Sequence, residues 1–190
     1  MTRDKDPVEY ALGVPGWMTN VELAWLARKA AALQPGSAWL EVGTWMGRSW
    51  SCVALSLPER ASITCVDDFY GKYAEPKAWT DQNGWAFPKF AETFSAVRQA
   101  ARTIDMTIHV ADSLNAAREC RDKFYDAIFL DGDHRAPGVR ADLEAWLPKL
   151  KPGGLMCGHD IDDPGVRAGL QGRKYSIAPN ERGSIWMLDE

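Results

Sequence analysis

Five short apolar runs alternate with helical patterns along this chain, and this alternation constrains the fold more than any other feature of the sequence. Each run is four to six residues long, which is a usual length for a buried strand. Helical segments between successive strands call for parallel strands with helices on both faces of the sheet. The five runs are Ala38–Val42, Ile63–Val66, Met106–Val110, Tyr125–Leu130 and Leu155–Gly158.

Two further apolar runs follow near the end of the sequence, at Tyr175–Ala178 and Ser184–Leu188, and they predict a closing hairpin. The hairpin brings the expected number of strands to seven. The sequence therefore predicts an α/β fold with a doubly wound, mostly parallel seven-stranded sheet, helices on both faces and a C-terminal antiparallel hairpin.

The length of 190 residues suits one domain with one core, and no linker divides the chain. Residues 1–35 are expected to be a helical N-terminal segment. Within it, Thr19 and Glu22 have the spacing of a capping box, and the helix that they begin ends before Pro35. We therefore expect a single domain over residues 1–190.

Composition and charge exclude several classes of partner. The net charge of −4 is spread along the chain and gives no reason to expect a nucleic acid duplex. No apolar run approaches membrane-spanning length, and residues 1–6 lack the apolar core of a signal peptide. The four cysteines form no Cys-x-x-Cys pair and suit buried thiols in a reducing compartment. We expect a cytoplasmic protein with a small-molecule partner; whether it is a homodimer stays open.

An acid or a histidine stands at the end of each of the five predicted parallel strands. One such residue would simply cap the next helix, but five together predict a shared polar site. In open α/β sheets, ligands bind beyond these carboxyl ends, near the switch in strand order. The five strand ends carry Glu41, Asp67-Asp68, Asp112-Ser113, Asp131-Gly132-Asp133-His134 and His159-Asp160.

A glycine-rich turn, Gly43 to Ser49, follows the first strand and leads into a helix. Glycines let a backbone approach a ligand closely, and a helix N-terminus favours an anionic group. The turn does not match the Gly-x-x-x-x-Gly-Lys loop that binds nucleoside triphosphates. Trp45 stands where a dinucleotide-binding turn has its second glycine, and its bulk leaves little room for a pyrophosphate. Asp67, 24 residues after Gly43, suits a ribose diol. These residues indicate a nucleoside-containing cofactor, and leave a dinucleotide and S-adenosylmethionine both open.

Three segments carry a resemblance to a known family. Glu41–Ser49 resembles the first motif of class I S-adenosylmethionine-dependent methyltransferases, in the small-molecule O-methyltransferase branch that includes methyltransferase family 24. Ala111–Ser113 resembles the adenine-side motif of that branch, and Phe129–His134 with Lys151–Gly154 resembles its fourth- and fifth-strand block. The matches span residues 15 to 170 and imply the Rossmann-like methyltransferase fold.

The resemblance implies a role for each residue that it covers. Gly43–Ser49 should hold the methionine part of the cofactor, with Glu41 supporting its amino end. Asp67 should bind the ribose, Asp112 the adenine amino group, and Asp131 should lie at the methyl-transfer end. The implied cofactor-binding residues are Glu41, Gly43, Thr44, Trp45, Gly47, Ser49, Asp67, Asp68, Asp112, Ser113 and Asp131.

Relatives in this branch place a divalent metal on acids that end the fourth and fifth strands. The matching positions are Asp131, His159 and Asp160. Mg²⁺ prefers oxygen ligands, so the histidine departs from the pattern; if a metal binds, Mn²⁺ or another transition ion fits better here than in the relatives. The alternative for His159 and Asp160 is a hydrogen-bonded helix cap.

Proton removal at the methyl-transfer end has its own candidates. Asp131 and His134 are the expected catalytic residues, with His134 as a general base. The alternative is that His134 only orients the loop, through Asp131. Asp133 is the neighbouring candidate for the same role.

The resemblance implies methyl transfer from S-adenosylmethionine to a small-molecule hydroxyl, with or without a divalent metal. The alternative is a binding or accessory protein that keeps the cofactor pocket without transferring the methyl group. A nicotinamide-dependent oxidoreductase is disfavoured by Trp45 and by the lack of a clear Tyr-Lys pair.

Residues 69–86 form a long predicted loop that leaves the sheet on the cofactor side. Aromatic residues lie there among glycines and a proline, which suits a recognition surface that can move. We expect a lid over the cofactor and acceptor; the alternative is a surface insertion packed on the sheet edge. The aromatic residues are Phe69, Tyr70, Tyr73, Trp79 and Trp85.

Overall fold

The computed structural model describes residues 6–69, 86–179 and 184–189. One seven-stranded sheet runs through it in the order β3-β2-β1-β4-β5-β7-β6. Strands β1 to β5 are parallel, and β7 is antiparallel to both β5 and β6. The strands are β1 (Ala38–Val42), β2 (Ser62–Asp67), β3 (Asp105–Val110), β4 (Tyr125–Leu130), β5 (Leu150–Gly158), β6 (Tyr175–Ile177) and β7 (Trp186–Leu188).

Helices cover both faces of the sheet and bury two separate apolar clusters, one on each side. Helices α1 to α4 pack on one face, around the fully buried Trp50 and Phe90. Helices α5 to α7 pack on the other, around Trp146 and Leu143. The helices are α1 (Pro7–Leu12), α2 (Asn20–Ala31), α3 (Arg48–Ser56), α4 (Ala86–Ala100), α5 (Ser113–Glu119), α6 (Ala136–Trp146) and α7 (Pro164–Gly169), with a 3₁₀ turn at Leu147–Lys149.

The strand order confirms the predicted doubly wound sheet and its antiparallel C-terminal pair. The chain runs outward from β1 through β2 to β3, then crosses back to β4 and continues through β5. The switch therefore lies between β1 and β4, where Val42 is the partner of Leu130. Leu130 is in turn the partner of Gly158, so the carboxyl ends of three neighbouring strands lie level at this point.

Two elements differ from the sequence-based expectation. Helix α1 lies within the expected helical segment 1–35 but was not predicted as a separate helix; Asp6 caps it by accepting hydrogen bonds from the amides of Val8 and Glu9. Strand β5 begins at Leu150 instead of Leu155 and takes in the expected turn. Gly153, with φ of 77°, lets the strand pass through that segment, where its register with β4 shifts.

The expected lid over residues 69–86 lies, apart from Phe69 and Ala86, outside the described residues and stays a prediction. Of the helices within residues 6–69, 86–179 and 184–189, none combines the length and the apolar character needed to cross a membrane.

Candidate functional site

The turn after β1 is pressed against the end of β4. Gly43 has φ of 85°, and its amide donates to the carbonyl of Val66 at 2.9 Å. A Cβ at this position would collide with the carbonyl oxygen of Asp131. Gly47 also has positive φ, 89°, and is the N-cap of α3. The two glycines therefore let the turn pack against the end of β4 and against α4, at the N-terminus of α3.

Glu41 lies beneath this turn and is completely buried. Ser49 Oγ donates to its Oε1 at 2.9 Å, whereas Oε2 has no hydrogen-bond partner within the described part of the chain. Thr44 Oγ1, in the turn itself, is also buried and unpaired there. Burial raises the pKa of Glu41 to about 8, and the nearby Asp131 and Asp67 add to the increase. A buried oxygen of this kind is normally satisfied by a neighbouring hydroxyl, a water or a ligand, and the side chain of Thr44 is close enough to lower the pKa of Glu41.

Asp67 ends β2 and holds two backbone amides. Its Oδ2 accepts from the Trp45 amide at 2.6 Å, and its Oδ1 accepts from the Phe69 amide at 2.7 Å. Burial raises its pKa even though these two hydrogen bonds favour the ionised form. Each carboxylate oxygen has a second lone pair, so the side chain still has acceptor capacity for a diol. The half-buried Asp68 follows it.

Asp112 and Ser113 lie where β3 meets α5. Asp112 caps the helix by accepting from the Leu114 amide at 3.1 Å. Ser113 Oγ donates to Asp142 Oδ1 at 2.5 Å and accepts from Trp146 Nε1 at 2.8 Å, which ties α5 to α6. Burial raises the pKa of Asp142 to about 6. Ser113 therefore supports the packing of two helices, and the half-buried carboxylate of Asp112 is the one that keeps acceptor capacity.

The ends of β4 and β5 bring four side chains together, and we call Asp131, His134, His159 and Asp160 the acid–histidine cluster. His134 Nε2 lies 3.6 Å from Asp131 Oδ1 and 3.3 Å from Asp160 Oδ2. His159 Nδ1 lies 3.6 Å from Asp131 Oδ1 and 3.2 Å from Asp160 Oδ1. Carboxylates and imidazoles therefore alternate. Asp160 has φ of 57°, a left-handed conformation that aspartate tolerates better than most residues.

Charge within the acid–histidine cluster shifts the pKa of its members. Burial disfavours a charged His159, but Asp131, Asp160 and Glu22 outweigh burial and raise its pKa to about 12. Burial likewise opposes the ionisation of Asp131, yet the two histidines lower its pKa. The hydrogen bond to Asp131 raises the pKa of His134 despite the desolvation of the ring. Each histidine is thus favoured as a cation beside ionised carboxylates.

Glu22 joins this cluster from the N-terminal segment and was not predicted as a site residue. Its Oε2 accepts from the Thr19 amide and hydroxyl, both at 2.8 Å, which is the predicted capping box. Its Oε1 lies 3.0 Å from His159 Nε2 and accepts from the Ser184 amide at 3.0 Å. Burial alone would raise its pKa, but these partners lower it. The capping spacing was the only signal that the sequence held for this residue.

Asp133 is placed differently from its neighbour His134. Its carboxylate accepts from the amide of Arg135 at 2.9 Å and pairs with the Arg135 guanidinium at 2.6 Å. Burial opposes ionisation, but these contacts lower the pKa of Asp133. The side chain is therefore committed to the start of α6, and His134 is the better placed of the two to accept a proton.

The acid–histidine cluster also bears on the expected metal. Ligand atoms of Asp131, His134 and Asp160 all lie within 4.8 Å of one another, so small shifts would bring them around one divalent ion. His159, which the sequence placed in this set, is directed by its Nε2 toward Glu22 and by its Nδ1 toward the two acids. The donor set that fits a metal best thus contains His134.

Comparison with protein families finds one matching model. A family described as a methyltransferase domain, Methyltransf_24, matches residues 40–161, which is more than half of the chain. This range includes every expected cofactor-binding residue. A search of curated protein sequences finds no match.

Solved structures with the same fold are distant in sequence. An O-methyltransferase from Bacillus cereus in complex with SAH aligns with TM-score 0.62 and 15% identity, over 97% of this chain and 90% of that one. The O-methyltransferase TomG from Streptomyces achromogenes, in complex with SAM, aligns with TM-score 0.64 and 15% identity, over 98% and 90%. Cofactor-bound Rv0187 from MTB aligns with TM-score 0.67 and 14% identity, over 97% and 90%.

Proposed function

The chain belongs to the S-adenosylmethionine-dependent methyltransferase family whose model matches residues 40–161, and we propose that it methylates a hydroxyl group of a small molecule. Solved relatives of the same fold are described as O-methyltransferases, which supports an oxygen acceptor. The observation that carries the proposal is the buried Glu41 Oε2, which has no partner among the described residues and lies under the glycine turn that packs on the end of β4.

The turn and the strand ends fit S-adenosylmethionine part by part. Glu41 Oε2, which lacks a partner among the described residues, accepts from the ammonium end of the methionine, directly or through one water. Gly43 lets the turn pack on the end of β4, which fixes the turn beside the proposed cofactor site. In this proposal Asp67 accepts from the ribose diol through its remaining lone pairs, and Asp112 accepts from the adenine amino group; their bonds to backbone amides support these roles by fixing both carboxylates. Bound S-adenosylmethionine supplies a sulfonium methyl group as the electrophile.

The acid–histidine cluster lies across the switch point from the turn and receives the acceptor hydroxyl. His134 is the most exposed member, with 43% of its side chain accessible. Its neutral form accepts the hydroxyl proton, and Asp131 and Asp160 then stabilise the imidazolium that forms. The alternating charges also fix the His134 ring and therefore the direction of attack.

The test measures S-adenosylhomocysteine release from S-adenosylmethionine with a panel of phenols, aliphatic alcohols, thiols and amines. We expect release only with a hydroxyl acceptor, and loss of it in His134→Gln while S-adenosylhomocysteine still binds. Transfer only to a thiol or an amine would overturn the choice of oxygen. Tight binding of S-adenosylhomocysteine without release for any acceptor would leave the binding or accessory role instead.

A divalent ion is a second candidate participant, favoured by the closeness of Asp131, His134 and Asp160. Such an ion would hold the acceptor oxygen and lower its pKa. A chelator followed by added Mg²⁺ or Mn²⁺ separates the alternatives. Loss and recovery of release supports the ion, and full release in chelator supports His134 acting alone.

A further inference from the structure

Half of the Glu22 carboxylate has no role in its own helix. A glutamate in a capping box needs only the amide of the N-cap residue, which Thr19 supplies to Oε2. The other oxygen, Oε1, faces His159 Nε2 and the amide and hydroxyl of Ser184, between 3.0 and 3.2 Å away. The side chain is only 4% exposed. Burying this charge is costly, and these contacts join α2 to the end of β5.

His159 is held at both nitrogens of its ring. Nε2 contacts Glu22 Oε1 and Ser184 Oγ, each at 3.0 Å, and Nδ1 faces Asp160 and Asp131. Trp186 Nε1 donates to the backbone carbonyl of His159 at 3.0 Å, which fixes the main chain as well. The ring cannot turn without losing contacts at both edges. As a cation the ring donates from Nε2 toward Glu22 and from Nδ1 toward the two aspartates, so the contact with Glu22 at one edge fixes where the other edge lies.

The near edge of that ring separates two carboxylates that would otherwise repel each other. Asp131 and Asp160 both contact His159 Nδ1, and both also contact His134 Nε2. We propose that Glu22 is a positioning residue, which acts through His159 to hold Asp131 and Asp160 in the arrangement that fixes His134. The effect of this arrangement on catalysis rests on the proposed function. The positioning of His159 by Glu22 does not depend on it.

Nuclear magnetic resonance tests the geometry without any acceptor. The chain has three histidines, so ¹H–¹⁵N spectra of their rings are readily assigned. We expect slow exchange of the His159 ring protons with water, at least tenfold faster exchange in Glu22→Ala, and partial protection in Glu22→Gln. The His134 ring signals should also shift in Glu22→Ala, because the carboxylates of Asp131 and Asp160, which contact that ring, move.

Thr19→Ala is the matched control. It removes the side-chain part of the same helix cap but leaves the Thr19 amide on Oε2 and leaves Oε1 against His159. Exchange of the His159 ring protons should then stay within twofold of the wild-type rate. If Glu22→Ala does not fold, Ser184→Ala removes one contact from each of Glu22 and His159 and serves in its place.

Turnover tests the catalytic meaning, with the hydroxyl acceptor from the panel that gives the fastest release. Below the melting temperature of each variant, Glu22→Ala should lower kcat at least tenfold and change KM for S-adenosylmethionine less than twofold. Glu22→Gln should recover part of the loss, and Thr19→Ala should retain wild-type kcat within twofold.

The ring spectra and the turnover measurements test the positioning role and the proposed function independently of each other. Unchanged His134 and His159 signals in folded Glu22→Ala overturn the positioning role, whatever the turnover. Equal kcat losses in Glu22→Ala and Thr19→Ala reduce Glu22 to a helix cap. If wild-type protein methylates no acceptor, the proposed function fails, and the ring spectra alone decide whether Glu22 holds His159.

Discussion

The amide of Trp45 donates a hydrogen bond of 2.6 Å to Asp67 Oδ2, so the end of β2 holds the turn that follows β1. Trp45 has φ of 46°, which is uncommon for a residue with a bulky side chain, and this bond helps to hold it there. The carboxylate proposed to bind the ribose therefore also shapes the turn proposed to bind the methionine. Mutations of Asp67 should affect both parts of the pocket.

Replacing Asp67 with alanine should weaken S-adenosylhomocysteine binding by about 2–3 kcal/mol, because two hydrogen bonds to a carboxylate are lost. Calorimetry measures the change. Asp105→Ala is the control. It removes an exposed aspartate at the amino end of β3, whereas the proposed site lies at the carboxyl ends of the strands. Equal affinity of wild type and Asp67→Ala would rule out the ribose role.

Replacing Glu41 with glutamine should weaken S-adenosylhomocysteine binding by about 2 kcal/mol, because a charge-assisted hydrogen bond is lost. It should also change the pH dependence of stability. With a folded pKa of about 8 against an ordinary 4.5, the folded protein binds the extra proton between these values. Stability of the free protein therefore falls as pH rises from 4.5 to 8.

Urea unfolding at pH 5 and pH 8, without cofactor, measures that contribution. Glu41→Gln should show a smaller fall in unfolding free energy than wild type between the two pH values. Glu144→Gln, at an exposed position of α6, should keep the wild-type difference. An identical fall in Glu41→Gln would contradict the raised pKa.

Gly43→Ala should abolish detectable cofactor binding and destabilise the protein, because its Cβ would meet the Asp131 carbonyl oxygen. Gly172 separates this collision from the cost of positive φ, since it has φ of 89° and open space around it. Gly172→Ala should cost about 1–2 kcal/mol and leave cofactor affinity unchanged. Comparable stability losses in the two variants would show that the turn adapts to a side chain.

The pairing of Glu22 with His159 should make stability depend on acid. The pKa of Glu22 is lowered below its ordinary 4.5, so its contribution is present above pH 4.5 and is lost as pH falls further. Glu22→Gln should cost about 3 kcal/mol near pH 6 and progressively less below pH 4. Asp162→Asn, whose side chain is 86% exposed, should cost little at either pH. A cost of Glu22→Gln that stays constant with pH would disprove the pairing.

Methyl transfer should increase with pH. The pKa of His134 is raised above its ordinary 6.5, and only the neutral ring accepts a proton, so the rate should rise as pH increases beyond 6.5. The pH profile of kcat, measured with the best hydroxyl acceptor, should lose this rise in His134→Gln. A rise that persists in the variant would assign it to another group.

The sequence was sufficient to predict the sheet, because apolar runs and their spacing depend on burial alone. The sequence also predicted that Glu41, Gly43, Asp67 and Asp131 lie at one end of the sheet, since the carboxyl ends of parallel strands lie together. It could not predict that Glu22 contacts His159, 137 residues away, because a capping box looks the same whether its glutamate is exposed or buried.

The start of β5 shows a second limit. Pro152, Gly153 and Gly154 have the composition of a turn, yet the strand continues through them. Gly153 adopts positive φ where the register with β4 shifts, so the irregularity is taken up inside the strand. Turns and irregular strands have the same proline and glycine composition. Only the pairing of such a segment with a neighbouring strand shows which of the two it is.

Strands β1 and β4 are adjacent at the centre of the sheet but far apart along the chain. The side chain of Asp126 accepts a hydrogen bond from the amide of Ala38, 88 residues earlier. Closing so large a loop is slow, because its entropy is lost before the contact forms. Until that closure, the turn at Gly43 cannot pack on the end of β4, and the cofactor-binding residues on β1 and β2 do not meet the acid–histidine cluster on β4 and β5. Recovery of cofactor binding during refolding should therefore follow the central pairing of the sheet and lag behind helix formation.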